Sequence, residues 1–254
     1  MTFRTTARVA VAAALALSLA AGARPVRADD DKPTNLKVLP KDITGNDLHE
    51  VMNGWSQALG VHCDYCHEMK TPGDFRSMDW ASDKVGHKEV ARRMYTMMAG
   101  LNTTTLPKAA GAPGAAVSCV ICHRGLPSPT TLDKVLVAVT REKGADAAVG
   151  KYKELRTQYY GSGTFDFTPR ALQTAALALA DDKATLDAAL TIAKLNVEQN
   201  PTAASAQVVV AQILDLKQDK VGAMAAIDAA LKLDPQDRHA LFLKRQLTQP
   251  GNGQ

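Results

Sequence analysis

Two short stretches decide the reading of this chain: Cys63-Asp64-Tyr65-Cys66-His67 and Cys119-Val120-Ile121-Cys122-His123. Both read CxxCH, and together they use all four cysteines of the 254 residues. Two thiols three positions apart can form thioethers to the two vinyl groups on one porphyrin edge. The histidine that follows then reaches the iron from the proximal side. The spacing therefore predicts two covalently attached c-type haems, held by Cys63, Cys66, Cys119 and Cys122, with His67 and His123 as proximal iron ligands. A thioredoxin-like pair would explain one CxxC, but not two with His in the same place and no βαβ pattern around them. A four-thiolate zinc site and two structural disulfides are the remaining uses of such pairs.

Outward from the motifs, the question becomes which residue completes each iron. Thr44-Gly45-Asn46-Asp47 has the spacing of a helix start with a capping box, and Gly60 is placed to stop that helix. Leu48, Met52, Trp55 and Leu59 recur on one face of it, so Met52 faces whatever the helix covers, just before Cys63. A methionine on an apolar face is ordinarily core packing. A haem fixed immediately downstream turns Met52 into a candidate distal ligand. A second helix is predicted over Ser82 to Leu101, with Val90, Met94, Met97 or Met98, and Leu101 on its apolar face. A loop rich in Thr, Pro, Gly and Ala (Asn102 to Ala116) then leads to the second motif. Helix with Met, turn, CxxCH thus occurs twice. Periodicity does not choose among the methionines of the second helix. His49, His62 and His87 read as surface or supporting histidines, and His239 as structural.

The first 28 residues read as a secretory signal peptide: Arg4 and Arg8, then the apolar run Val9 to Ala21, then small residues before Asp29, with Ala21-Gly22-Ala23 a second cleavage position. These residues hold four arginines and no acid, so the remainder carries 26 basic and 26 acidic residues and a formal net charge of zero. The whole-chain charge of +4 therefore gives no ground for a nucleic-acid or anionic-membrane partner. At 46% apolar and 22% charged, the composition excludes a disordered, collagen-like or multi-span membrane protein. No stretch reaches the roughly 20 apolar residues of a membrane span, and the expected location is the periplasm.

Further residues resemble a known family, the cytochrome c subunit of photosynthetic reaction centres and its smaller two-haem relatives. The matching text is Asn35-Leu36-Lys37-Val38-Leu39-Pro40, Leu59-Gly60-Val61 leading into the first CxxCH, Val90-Ala91-Arg92-Arg93-Met94, and Val117-Ser118 leading through Cys119-Val120-Ile121-Cys122-His123 to Arg124-Gly125. The resemblance covers about residues 35–130. It implies that each haem-binding helix donates a methionine: Met52 by position to the first iron and Met94 to the second, with Met97 the alternative. The reaction-centre subunit carries four haems where this chain has motifs for two, so no photosynthetic complex is implied. The family's bis-histidine haem depends on a histidine in the loop before a CxxCH, and the second motif here is preceded by Pro107 and Lys108 instead. Both haems are thus expected to be His/Met, which raises the reduction potential relative to bis-His ligation.

After a Pro-rich stretch (Leu126 to Thr130), Ala, Leu, Lys and Asp dominate with helical periodicity. Thr131 to Lys143 and Ala145 to Tyr160 read as a helical pair broken at Gly144, and Gly161 to Thr164 as a linker. Pro201 and Pro235 stand 34 positions apart, with Ala189, Ile192 and Ala193 in register with Ala223, Ala226 and Ile227. That period resembles a short tetratricopeptide array with a terminal capping helix. Such an array either docks a protein partner on its concave face or extends the haem domain's core.

The expected fold is mainly α: two helix-turn-CxxCH haem-binding units followed by a tetratricopeptide-like array. The expected segments are a signal peptide (1–28), a two-haem cytochrome domain (29–130), a helical connector (131–164) and the repeats (165–254). The expected function is electron transfer between periplasmic or membrane-associated redox partner proteins, with membrane contact only through those partners. The rival readings are a two-haem peroxidase, which needs distal acid/base groups, and a haem redox sensor acting through the repeats.

Overall fold

A computed structural model describes residues 32–112 and 114–248. The expected signal peptide lies outside these residues. Among the described residues the protein is mainly α, with two strands of two residues each.

Helix α1 (Gly45–Leu59) begins where the capping pattern places it: the Thr44 hydroxyl oxygen accepts from the Asp47 N–H at 3.2 Å. It stops at Gly60, whose φ of 65° lies in the left-handed region open to glycine. The first CxxCH follows as a 3₁₀ turn over Cys63–Tyr65. A small antiparallel ribbon comes next, β1 (Glu68–Met69) against β2 (Met78–Asp79), which two-residue strands made illegible as a periodic pattern.

Helix α2 (Gly86–Gly100) starts four residues later than the predicted Ser82. Ser82 is engaged elsewhere, its hydroxyl donating to Glu68 at 2.7 Å and its N–H to Asp79. The helix also outruns its predicted end. It continues through a π-helical turn (Leu101–Thr105) into α3 (Leu106–Ala109), so the first half of the expected loop is helical. Pro107 explains the π turn: it has no N–H to return to the preceding turn, and the backbone widens around that gap. Helix α4 (Cys119–His123) is the second CxxCH itself.

The C-terminal half is a stack of antiparallel helices: α5 (Leu132–Lys143), α6 (Ala145–Tyr159), α7 (Pro169–Ala180), α8 (Leu186–Gln199), α9 (Ala204–Leu216), α10 (Lys220–Leu233) and α11 (Arg238–Thr248). Gly144, at φ 88°, breaks α5 from α6. Pro201 and Pro235 each follow the end of a helix, where they cannot continue it. Neighbouring helices approach closely because the crossings are lined by buried alanines such as Ala175, Ala189, Ala223 and Ala230. The core runs unbroken from Leu132 and Leu136 through Tyr152, Leu172, Ile192 and Ile213 to Leu243, so α5 and α6 share it with the helices that follow. Asn196, fully buried, is satisfied by donating to the Pro169 carbonyl at 3.0 Å and accepting from Asn200 at 2.8 Å.

Candidate functional site

The predicted face of α1 forms one wall of a cavity of about 770 Å³: Leu48, Met52, Trp55 and Leu59 all line it. Cys63, Cys66 and His67 line the opposite part, with Met78 and Trp80 from the ribbon and Lys88, Ala91 and Arg92 from α2. Trp55 packs on Tyr95 at 5.5 Å between ring centroids and so ties α1 to α2. The Trp80 ring stands edge-on to His67 at 5.2 Å.

Burial pushes the His67 imidazole below its usual value; Lys88 and Arg92 add to this, and the Trp80 backbone pulls the other way. The ring is therefore held neutral, the form that ligates a metal. Its Nδ1 is buried with no hydrogen-bond partner, an arrangement that is costly unless something other than protein satisfies the ring. Burial, with Cys63 close by, raises the Cys66 thiol, against the pull of Lys88. His87 is committed elsewhere, stacked on Tyr65 at 4.0 Å with Nδ1 3.0 Å from the Tyr65 carbonyl. His49 and His62 are exposed at the edge of the cavity.

The second motif is held from both sides. Asn102, in the π turn, donates to the Val117 carbonyl and accepts from its N–H, each at 2.8 Å, which fixes the chain entering α4. On the far side Arg124 turns the backbone left-handed, and the Gly125 N–H donates to the Ala58 carbonyl of α1 at 2.9 Å. His123 is buried, and its Nδ1 bonds the Leu126 carbonyl at 2.8 Å. That bond fixes the tautomer and leaves Nε2 for a metal.

On α2, Val90, Met94 and Met97 are exposed, as are Val120 and Ile121 of the second motif. Met98 lies closest to the motif, with Sδ 3.8 Å from Cys119 Sγ. The candidates Met94 and Met97 are on the same side of the helix, 39% and 51% exposed. Helix α2 thus contributes Lys88, Ala91 and Arg92 to the first cavity and Met98 to the neighbourhood of the second motif.

These residues fit two covalently held haems. Each motif supplies two thiols and a histidine beside methionine-bearing helices. One histidine has a buried nitrogen without a protein partner; the other has the backbone bond that orients an iron ligand. The zinc alternative finds no support in geometry, because among the described residues no three His, Cys, Asp or Glu side chains converge to hold a bare ion. All four thiols are free of disulfide bonds.

Sequence reasoning did not single out Met78, Trp80, Lys88 or Arg92. The ribbon that delivers Met78 and Trp80 has no periodic signature. For α2 a signal was present, since 88, 91, 92 and 95 share a helical face, but its charges masked a site-facing surface as a solvated one.

In comparison with known proteins, residues 73–176 match the family described as "Photosynthetic reaction centre cytochrome C subunit". The matched segment begins after the first CxxCH and contains the second, together with α2 to most of α7. No curated protein matches the chain. The family match supports a cytochrome c electron-transfer role and implies covalently bound haem c.

Proposed function

Starting from that similarity, we propose that the chain is an exported, periplasmic two-haem c-type cytochrome that carries electrons between redox partner proteins. The observation that carries this reading is the pairing of each CxxCH with a methionine-bearing helix. Met52 shares one cavity with Cys63, Cys66 and His67, while α2 brings Met98 beside Cys119 of the motif whose His123 is anchored by the Leu126 carbonyl. When bound, each haem supplies a reversible one-electron couple.

The chain's own residues do the rest. The four cysteines would hold the porphyrins by thioether bonds, and His67 and His123 would ligate the irons. Met52 would complete the first site and Met94 the second, with Met97 the alternative, and so exclude water and exogenous ligands. Leu48, Trp55 and Leu59 keep the first site apolar. Since α2 lines the first cavity with Lys88, Ala91 and Arg92 and reaches the second motif with Met98, the two sites share this helix, which suits electron exchange between them. The C-terminal stack is the proposed docking surface for a protein partner, in the manner of a tetratricopeptide array. Among the described residues no helix is long and apolar enough to cross a membrane.

Absorption spectra of the oxidised and reduced holoprotein test the closed-site assignment through the far-red sulfur-to-iron charge-transfer band. Partial loss of the band in Met52→Ala, and again in Met94→Ala or Met97→Ala, is the expected result. A wild-type spectrum without the band, with high-spin iron that binds carbon monoxide or turns over peroxide, would overturn it in favour of a peroxidase-like enzyme.

A further inference from the structure

The ionisable residues around the first cavity are strongly one-sided. Lys32, Lys37, Lys70, Lys88 and Arg92 line it against a single carboxylate, Asp79. Two of these cations are buried in the wall, the Lys88 side chain being 12% and that of Arg92 8% exposed. They are fixed rather than mobile. Lys88 Nζ donates to the Trp80 and Ser82 carbonyls at 2.8 and 2.9 Å. The Arg92 guanidinium reaches Asp83 at 2.9 Å, Glu89 at 3.2 Å and the Asn35 carbonyl at 3.3 Å.

Their charge is only partly matched. Three cations share two carboxylates: Asp83 pairs with Arg92, with Lys88 at 3.6 Å and with Lys37 at 2.7 Å, and Glu89 pairs with Arg92, while Asp79 is taken by Lys70 at 2.9 Å. The second motif has no equivalent: its nearby cations, Arg93 and Arg124, are exposed, where water and salt screen them. A buried cation acts through a lower effective dielectric and reaches farther.

Resting on the two-haem reading, we infer that Lys88 and Arg92 form a fixed cationic wall that holds the first haem at a higher reduction potential than the second. The ferric centre carries one positive charge more than the ferrous, so a cation held beside it favours the reduced state. The consequence is a direction: electrons entering at the second centre come to rest at the first.

The test is a spectroelectrochemical titration of the full holoprotein. Wild type shows two one-electron waves, and Cys119→Ser/Cys122→Ser, which carries one haem, identifies the higher wave as the first centre. Lys88→Met and Arg92→Gln each lower that wave, by about tenfold in the ferrous-to-ferric ratio at fixed poise, ~59 mV for one electron. The lower wave stays in place, and Arg92→Lys restores the wild-type value. If Arg92→Gln fails to fold, Lys88→Met carries the test, since Asp83 keeps Lys37 and Arg92 as partners. Coincident waves in wild type, an assignment of the higher wave to the second centre, or unmoved waves in Lys88→Met overturn the inference. A wild-type protein with fewer than two haems would instead refute the two-haem reading beneath it.

Discussion

Gly60 serves both motifs at once. Its left-handed backbone ends α1 just ahead of Cys63, and a Cβ built on it would stand 2.2 Å from the Gly125 carbonyl oxygen, immediately after the second CxxCH. Gly60→Ala is therefore expected to cost more than the about 1–2 kcal/mol of a left-handed alanine, because the chain leaving α4 must also move. Denaturant midpoints check the loss. The sequence showed Gly60 as a helix stop, but its contact with Gly125 joins residues 65 apart, which no local pattern carries. Asp83 is a second residue whose role emerges from packing. Lys37, together with Asn35 and Arg92, holds its carboxyl well below the usual carboxylate range. A depressed folded value means that the stabilisation is present above the unfolded value, about pH 4, and is lost as pH falls through the folded one. Asp83→Asn should accordingly be less stable than wild type at neutral pH, with the difference shrinking under acid. A constant difference from neutral to strongly acidic pH would remove Asp83 from the acid response.

At the scale of elements, α1 was legible almost to the residue, because cap, apolar face and stop agree with one another. Helix α2 was legible as a helix and misplaced at both ends; its expected apolar face carries the exposed Val90, Met94 and Met97, while the residue it buries is Arg92. Its start is displaced by Ser82 bonding to the ribbon, and its continuation depends on a π turn around Pro107, neither of which is a periodic signal. The π turn places Asn102 against Val117, an amide bridge that replaces regular structure before the second motif. Asn102→Ala removes both bonds and should cost about 1–3 kcal/mol. Hydrogen exchange at the Val117 amide should rise in the same variant, whereas an unchanged exchange rate would mean that another contact holds this segment.

Across the described residues, the helical stack holds one continuous core, and the segment that follows the second CxxCH leans on it. Leu126 packs against that core, and the Thr164 hydroxyl donates to the Arg124 carbonyl at 2.7 Å, directly after His123. Leu136 is fully buried there, so Leu136→Ala should cost about 2–5 kcal/mol, read from thermal or denaturant unfolding. Helical periodicity and the two prolines made this stack legible in outline. The sharing of one core by α5, α6 and the later helices was not legible, since it joins side chains far apart in sequence. The first cavity likewise needs residues from five separate segments, of which only the CxxCH and the face of α1 announced themselves. The measurement that bears most directly on the account is the covalent haem count of the purified holoprotein, by intact mass and by haem assay after acid-acetone extraction. The account predicts two haems per chain that resist extraction, falling to one when either cysteine pair is replaced. A chain with free thiols and extractable haem, or none, would contradict it.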